Sequence, residues 1–199
     1  MFSDATGSLS PAPLFAEVLA SGGADDLTVV APDEGALDRS RALLHAAGID
    51  RPLAYLRKHR GVDCIAHSAV VGAVTRRVVI VDDILDTGET LISACVELRR
   101  AGAQEITVFV THGLFSGERW RELQTLGVER IYTTDSVPRA PERGGEIVAV
   151  LPVGGLILDA LREFAEHLAE RRPITARPAQ PSTVERIEAP APAEDSSVP

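Results

Sequence analysis

Val78-Val79-Ile80-Val81-Asp82-Asp83-Ile84-Leu85-Asp86-Thr87-Gly88-Glu89-Thr90-Leu91 is the stretch that decides the fold. Its first four residues are apolar and β-favouring, which suits a central parallel strand covered on both faces. Asp82 and Asp83 then emerge at the carboxyl end of that strand, the edge of an open α/β sheet where ligands bind. Adjacent carboxylates at such an edge accept hydrogen bonds from a vicinal diol or hold a hydrated Mg²⁺. Ribose carries that diol. Asp86-Thr87-Gly88-Glu89-Thr90 supplies a tight turn with hydroxyl donors, and a helix is predicted to begin near Leu91. The unpaired N–H groups and positive dipole end of that helix suit a dianionic phosphate. The plain alternative is a strand followed by an acidic helix cap, because Asp and Thr are ordinary N-terminal residues. The complete pattern, a strand and then Asp-Asp-x-x-Asp-Thr-Gly-x-Thr, favours a phosphorylated ribose.

Outward from this stretch, strands and helices alternate, which predicts right-handed crossovers and a mostly parallel sheet. Helices are expected over Leu14 to Ala20, Leu37 to Ala47, Thr90 to Ala101, Ser116 to Leu126 and Leu156 to Ala169. Strands are expected over Leu27 to Val30, Leu53 to Leu56, Ile106 to Val110, Arg130 to Thr133 and Ile147 to Leu151. Cys64 to Val74 reads as an extended excursion or hairpin that returns to Val78. The core domain is expected at residues 13–170, preceded by a flexible segment at 1–12. Residues 171–199 are rich in Pro, Ala, Glu and Ser, with too few large apolar side chains to offset the entropy of ordering, and are expected to be disordered.

A formal net charge of −9 argues against a grip on nucleic-acid phosphates, which relies on clustered Lys and Arg. The longest apolar run, Ile147 to Leu158, is broken by Pro152, Gly154 and Gly155, so a membrane span is not expected and a cytoplasmic location is. Cys64 and Cys95 lack metal-ligand spacing and read as small packed side chains. His45, His67 and His167 form no metal set, and Trp120 reads as a packing residue on its helix.

The 78–91 stretch resembles the phosphoribosyl pyrophosphate (PRPP) motif of type I phosphoribosyltransferases and of ribose-phosphate pyrophosphokinases. The pyrophosphokinases fit further. Ala31-Pro32-Asp33-Glu34-Gly35 with Arg39 and Arg41, Lys58-His59-Arg60, Thr111 to Gly117, and Thr134-Asp135-Ser136-Val137-Pro138 resemble their segments in order. The resemblance runs from about Pro13 to about Leu168 and covers the carboxyl-terminal half of that family; the other half, which contributes most of the ATP pocket and a catalytic histidine, has no counterpart in it. It implies the type I phosphoribosyltransferase fold, an α/β architecture with helices on both faces of a mostly parallel sheet.

Read from the residues, the turn at Asp33, Glu34 and Gly35 lies between a strand and a helix, so its amides suit an anion. The resemblance implies that this loop meets the pyrophosphate of PRPP, with Asp33 near the metal and Gly35 allowing close approach; Ala36 stands where a second glycine is usual. Asp38, Arg39 and Arg41 read more readily as a solvated helix face than as phosphate contacts. Lys58 and Arg60, at alternate positions after a strand end, either point two cations into one cleft or form a plain basic loop. By resemblance they match the catalytic basic pair. His112 and Ser116 lie at the ligand edge, and a structural role is preferred for them.

The site expected is therefore Asp82, Asp83, Asp86, Thr87, Gly88, Glu89, Thr90, Asp33, Glu34 and Gly35 for the sugar phosphate, with Lys58, Arg60 and Asp86 in catalysis. Asp33, Asp82 and Asp83 are the residues expected to meet Mg²⁺. Transfer of a phosphoribosyl group from PRPP to an unidentified acceptor is the first activity expected. A pyrophosphokinase subunit that needs a separate ATP-binding subunit is the alternative, and a non-catalytic PRPP sensor or scaffold a third. Homo-oligomeric assembly is implied by the resemblance.

Overall fold

The computed structural model describes residues 9–23, 26–60, 65–138, 140, 142 and 145–170, with side chains at all of these except 58–60, 65–68 and 167–170. The elements in chain order are α1 (Ala12–Ser21), β1 (Leu27–Ala31), a 3-10 turn (Glu34–Ala36), α2 (Leu37–Ala46), β2 (Ala54–Arg60), β3 (Ile65–Val71), β4 (Arg77–Leu85) and α3 (Glu89–Arg100). They continue with β5 (Glu105–Gly113), a second 3-10 turn (Arg119–Arg121), α4 (Glu122–Thr125), β6 (Val128–Thr134), β7 (Val148–Leu151) and α5 (Gly154–Glu170). The strands form one seven-stranded sheet in the order β3-β2-β1-β4-β5-β6-β7. All neighbours run parallel except β2 and β3, which pair as an antiparallel hairpin. One compact unit ends at Arg162 and a second begins at Glu163.

Strand β4 sits at the centre because both of its faces are apolar. Val78 and Ile80 pack into a core with Leu91, Cys95 and Leu98 of α3, while Val79 and Val81 pack on the opposite face with Phe15 of α1 and Leu43 of α2. Fully burying one such side chain contributes about 1.5–3 kcal/mol, so this run alone anchors the sheet. On the second face Phe15 stacks on Phe109 with ring centroids 4.9 Å apart. The expected α/β fold with helices on both faces is what the structure shows.

Four local expectations change. The expected helix from Ser116 to Leu126 is only a 3-10 turn and the single turn of α4. Phe115 at φ 50° and Gly117 at φ 66° turn the chain left-handed and break the helical path before Trp120. Strand β4 continues through Asp82 and Asp83 to Leu85, because β5 keeps pairing with it as far as Gly113. That pairing also draws His112 out of the expected loop and into β5. Strand β2 likewise runs beyond Leu56 to Arg60, held by the antiparallel ladder to β3. Cys95 is buried, in keeping with a packing role, while Cys64 lies outside the described residues. Among the described residues no helix is long and apolar enough to cross a membrane.

Candidate functional site: the carboxyl edge of β1 and β4

The site is assembled where β1, β4 and β5 end on the same sheet edge. Asp82 and Asp83 occupy successive positions near the end of β4. Asp82 is 7% exposed and Asp83 is open to solvent. The buried Asp82 Oδ1 accepts a hydrogen bond from the backbone N–H of Asp83 at 2.9 Å. The Asp82 carboxyl is raised from 3.8 to about 7, chiefly by burial and also by the neighbouring Asp83 carboxylate, against the Asp83 amide and Arg39, which lower it.

Arg39, on α2, reaches across this pair. Its Nη1 donates to Asp82 Oδ1 at 3.1 Å and its Nη2 to Asp83 Oδ2 at 2.7 Å. The expectation of a solvated face therefore fails for Arg39 and holds for Arg41, which is exposed and pairs with Asp38 one turn away. The reason is the topology: α2 follows β1, which lies directly beside β4, so the helix delivers a cation onto the end of its neighbour strand. Nothing in the local pattern of α2 reveals a partner more than forty residues onward.

Residues 84–91 line a small cavity at the start of α3. Gly88 is the N-cap at φ 89° and offers no side-chain capping bond. The first intrahelical bond runs from Ile92 N–H to Gly88 O at 2.8 Å, so the amides of Glu89, Thr90 and Leu91 face out of the helix end. The helix starts at Glu89, which moves Glu89 and Thr90 from the expected loop into the first turn. A carboxylate cap, the plain alternative for Asp86 and Thr87, is not what closes this helix. Asp86 and Thr87 stay exposed beside Gly88.

The loop after β1 is built differently. Asp33 is the N-cap of the first 3-10 turn, and its Oδ1 accepts from Ala36 N–H at 3.1 Å. A Cβ on Gly35 would lie 3.2 Å from that oxygen, so glycine leaves room for the carboxylate cap. Glu34 and Gly35 are exposed. Asp33, Asp82 and Asp83 are not drawn into one cluster: among the described residues no three His, Cys, Asp or Glu side chains converge on a metal position. The donor set still suits Mg²⁺, which keeps several waters and is held by one or two carboxylates together with substrate phosphate oxygens.

The backbone of Lys58 and Arg60 lies in β2, opposite His67 and Ile65 of β3. Their side chains lie outside the described residues. His112 sits beside Ile84 across the β4–β5 ladder, and its Nδ1 meets Ser136 Oγ at 2.8 Å. Ser136 in turn donates to Thr111 O at 3.1 Å, which ties the ends of β5 and β6 together, in line with the structural role preferred for His112.

Sequence reasoning missed Arg119. It pairs with Glu89 at the start of α3, Nη1 to Oε1 at 2.5 Å. Its neighbour Trp120 is buried, as a packing residue should be, and meets Phe115 edge-on.

The sequence pattern of the phosphoribosyl synthetase-associated domain matches residues 64–168. A ribose-phosphate pyrophosphokinase of Corynebacterium efficiens is 32% identical over 146 residues, covering 71% of this chain and 44% of its own length. The enzyme of that name from Thermotoga maritima is 33% identical, covering 73% of this chain and 45% of its own length. The crystal structure of phosphoribosylpyrophosphate synthetase from Mycobacterium smegmatis superposes with a TM-score of 0.66 at 27% identity, over 79% of this chain and 51% of that one. The chain thus spans about half the length of the relatives it matches. These likenesses favour the pyrophosphokinase alternative over transfer to an unidentified acceptor, which the fold alone supports.

Proposed function

The chain belongs to the phosphoribosyl synthetase-associated domain family, and from that premise we propose that it is the sugar-phosphate half of a ribose-phosphate pyrophosphokinase. In this reading it binds ribose 5-phosphate and its product PRPP with Mg²⁺, while ATP is held by a separate ATP-binding subunit. The observation that supports it best is the pairing, on one sheet edge, of two adjacent carboxylates with a helix start that no side chain caps among the described residues. The first suits the ribose diol and the second suits the 5-phosphate.

Asp82 and Asp83 orient the ribose hydroxyls, and they do so in exchange for Arg39, which holds both when no sugar is bound. The amides from Glu89 to Leu91, with the hydroxyls of Thr87 and Thr90, fix the phosphate. Asp86 stands between the two groups at the turn. Mg²⁺, when bound, supplies neutralisation of pyrophosphate charge, and Asp82, Asp83 and Asp33 are the side chains that would hold it, largely through water. Lys58 and Arg60 complete the proposal as cations for the pyrophosphoryl group moving from ATP to the anomeric oxygen. Homo-oligomeric assembly and a cytoplasmic location belong to the same reading.

Calorimetric titration with ribose 5-phosphate and with PRPP, with and without Mg²⁺, tests it. Binding in the range of about 1–100 μM that depends on the metal and vanishes in Asp82→Asn, Asp83→Asn is the expected result. Absence of binding by the intact chain overturns the sugar-phosphate site. Formation of PRPP by this chain alone from ATP and ribose 5-phosphate, followed by phosphorus NMR, overturns the need for a second subunit.

A further inference from the structure

The phosphate cup carries a feature that a phosphate site does not need: a carboxylate, Glu89, at the first position of α3. An anion there opposes both the helix amides' preference for phosphate and the ligand's own double negative charge. Three observations show how the chain answers it. Arg119, from the 3-10 turn after β5, pairs with Glu89 through Nη1 and Oε1. The turn that carries Arg119 is pressed against the cup: a Cβ on Gly88 would lie 2.8 Å from Trp120 Cα and 3.4 Å from Trp120 N. The segment leading to that turn is hydrogen-bonded to the cup as well, with Leu114 N–H and Phe115 N–H donating to Leu85 O at 2.8 and 3.1 Å and Ser116 N–H to Asp86 O at 3.1 Å. The turn that carries Arg119 is therefore held by backbone contacts at the rim of residues 86–90, and both members of the pair are about half exposed to solvent.

We propose that Arg119 is a phosphate-binding and specificity-determining side chain of this cup, held in register by Glu89. A guanidinium has five N–H donors in a planar fork, so one nitrogen on Glu89 leaves others to donate to a phosphate oxygen. Glu89 acts as the positioning residue. It aims the fork across the mouth of the cup, and its own charge is cancelled by the group it aims. The ligand class favoured is a sugar carrying a terminal phosphate dianion, as against a neutral sugar or a phosphodiester. This inference rests on the proposed sugar-phosphate site and names a residue outside the sequence motif that makes it.

The test is calorimetry of the full chain with ribose 5-phosphate and Mg²⁺, using the wild type, Arg119→Gln, Arg119→Lys, Glu89→Gln and the Arg119→Gln, Glu89→Gln double variant. Arg119→Gln removes the cation and leaves Glu89 uncompensated, so the dissociation constant is expected to rise about tenfold or more. The double variant is expected to regain part of that loss, because the opposing carboxylate is gone, and Arg119→Lys to regain part through charge alone. A collapsed loop would show neither recovery. If the wild type binds and Arg119→Gln binds within about twofold of it, the inference falls while the sugar-phosphate site stands. A loss in Arg119→Gln that neither second substitution relieves also overturns it. If the wild type fails to bind, site and inference fall together.

Discussion

Two turns at one sheet edge, β1 to α2 and β4 to α3, have the same topology and opposite chemistry. After β1, Asp33 bends its own carboxylate back onto Ala36 N–H, so the start of the 3-10 turn is satisfied from within. After β4, Gly88 takes a left-handed conformation and, among the described residues, the helix opens with no side-chain cap. The first turn closes itself. The second leaves its amides open, and in the proposed function an anion from outside closes it, which would make the first a loop that shapes a site and the second a loop that binds in one.

The sharpest way to break this contrast is to add the same methyl group to both turns. In Gly88→Ala the Cβ meets Trp120 backbone at 2.8 Å in a conformation that L residues avoid, whereas in Gly35→Ala it meets only the Asp33 side chain at 3.2 Å. Gly88→Ala is expected to cost about 3 kcal/mol or more of stability and to abolish ribose 5-phosphate binding. Gly35→Ala is expected to cost about 1 kcal/mol or less. Thermal denaturation with parallel calorimetry reads both, and equal costs would erase the distinction between the turns.

A second effect follows from Asp82, which lies between the two turns. Its carboxyl is raised to about 7 in the folded chain, chiefly by burial, against 3.8 when unfolded. The folded state therefore binds the extra proton between those values, and stability falls as pH climbs from about 4 to about 7. The drop is on the order of 2 kcal/mol once the solvent reaching Asp83 and Arg39 is counted, and Asp82→Asn is expected to flatten it. Urea denaturation at stepped pH measures the slope; an unchanged slope in the variant assigns it elsewhere. The smallest effect is at the closed turn, where Asp33→Ala is expected to lower the urea midpoint by an amount worth about 1 kcal/mol, the usual value of a lost cap.

The same contrast explains what the sequence disclosed. The run from Val78 to Val81 and the Asp-Asp-x-x-Asp-Thr-Gly-x-Thr pattern are local, so the central strand, its two carboxylates and the turn into α3 are legible in the sequence alone. The local pattern of α2 points Arg39 to solvent, because its partners arrive from β4 through the sheet order and not through the periodicity of α2. Arg119 was hidden for a related reason. Apolar and charged residues from Ser116 to Leu126 carry helical spacing, and two left-handed residues override it to bring the turn onto Gly88. The extension of β2 to Arg60 depends on a hairpin partner, which no window around Leu56 contains. Pairings between distant elements are decided by topology, and a single sequence states topology only in outline.

The close seat of Trp120 on Gly88 makes the protein its own optical probe. The chain has one tryptophan, its indole is buried within reach of Phe115, and its backbone lies close against Gly88, the residue that opens α3. The Arg121 guanidinium also lies 4.6 Å from the indole ring. In the proposed function a phosphate that settles on the amides of α3 perturbs the environment of a lone fluorophore, and intrinsic emission is expected to report its occupancy in real time without a label or a coupled assay.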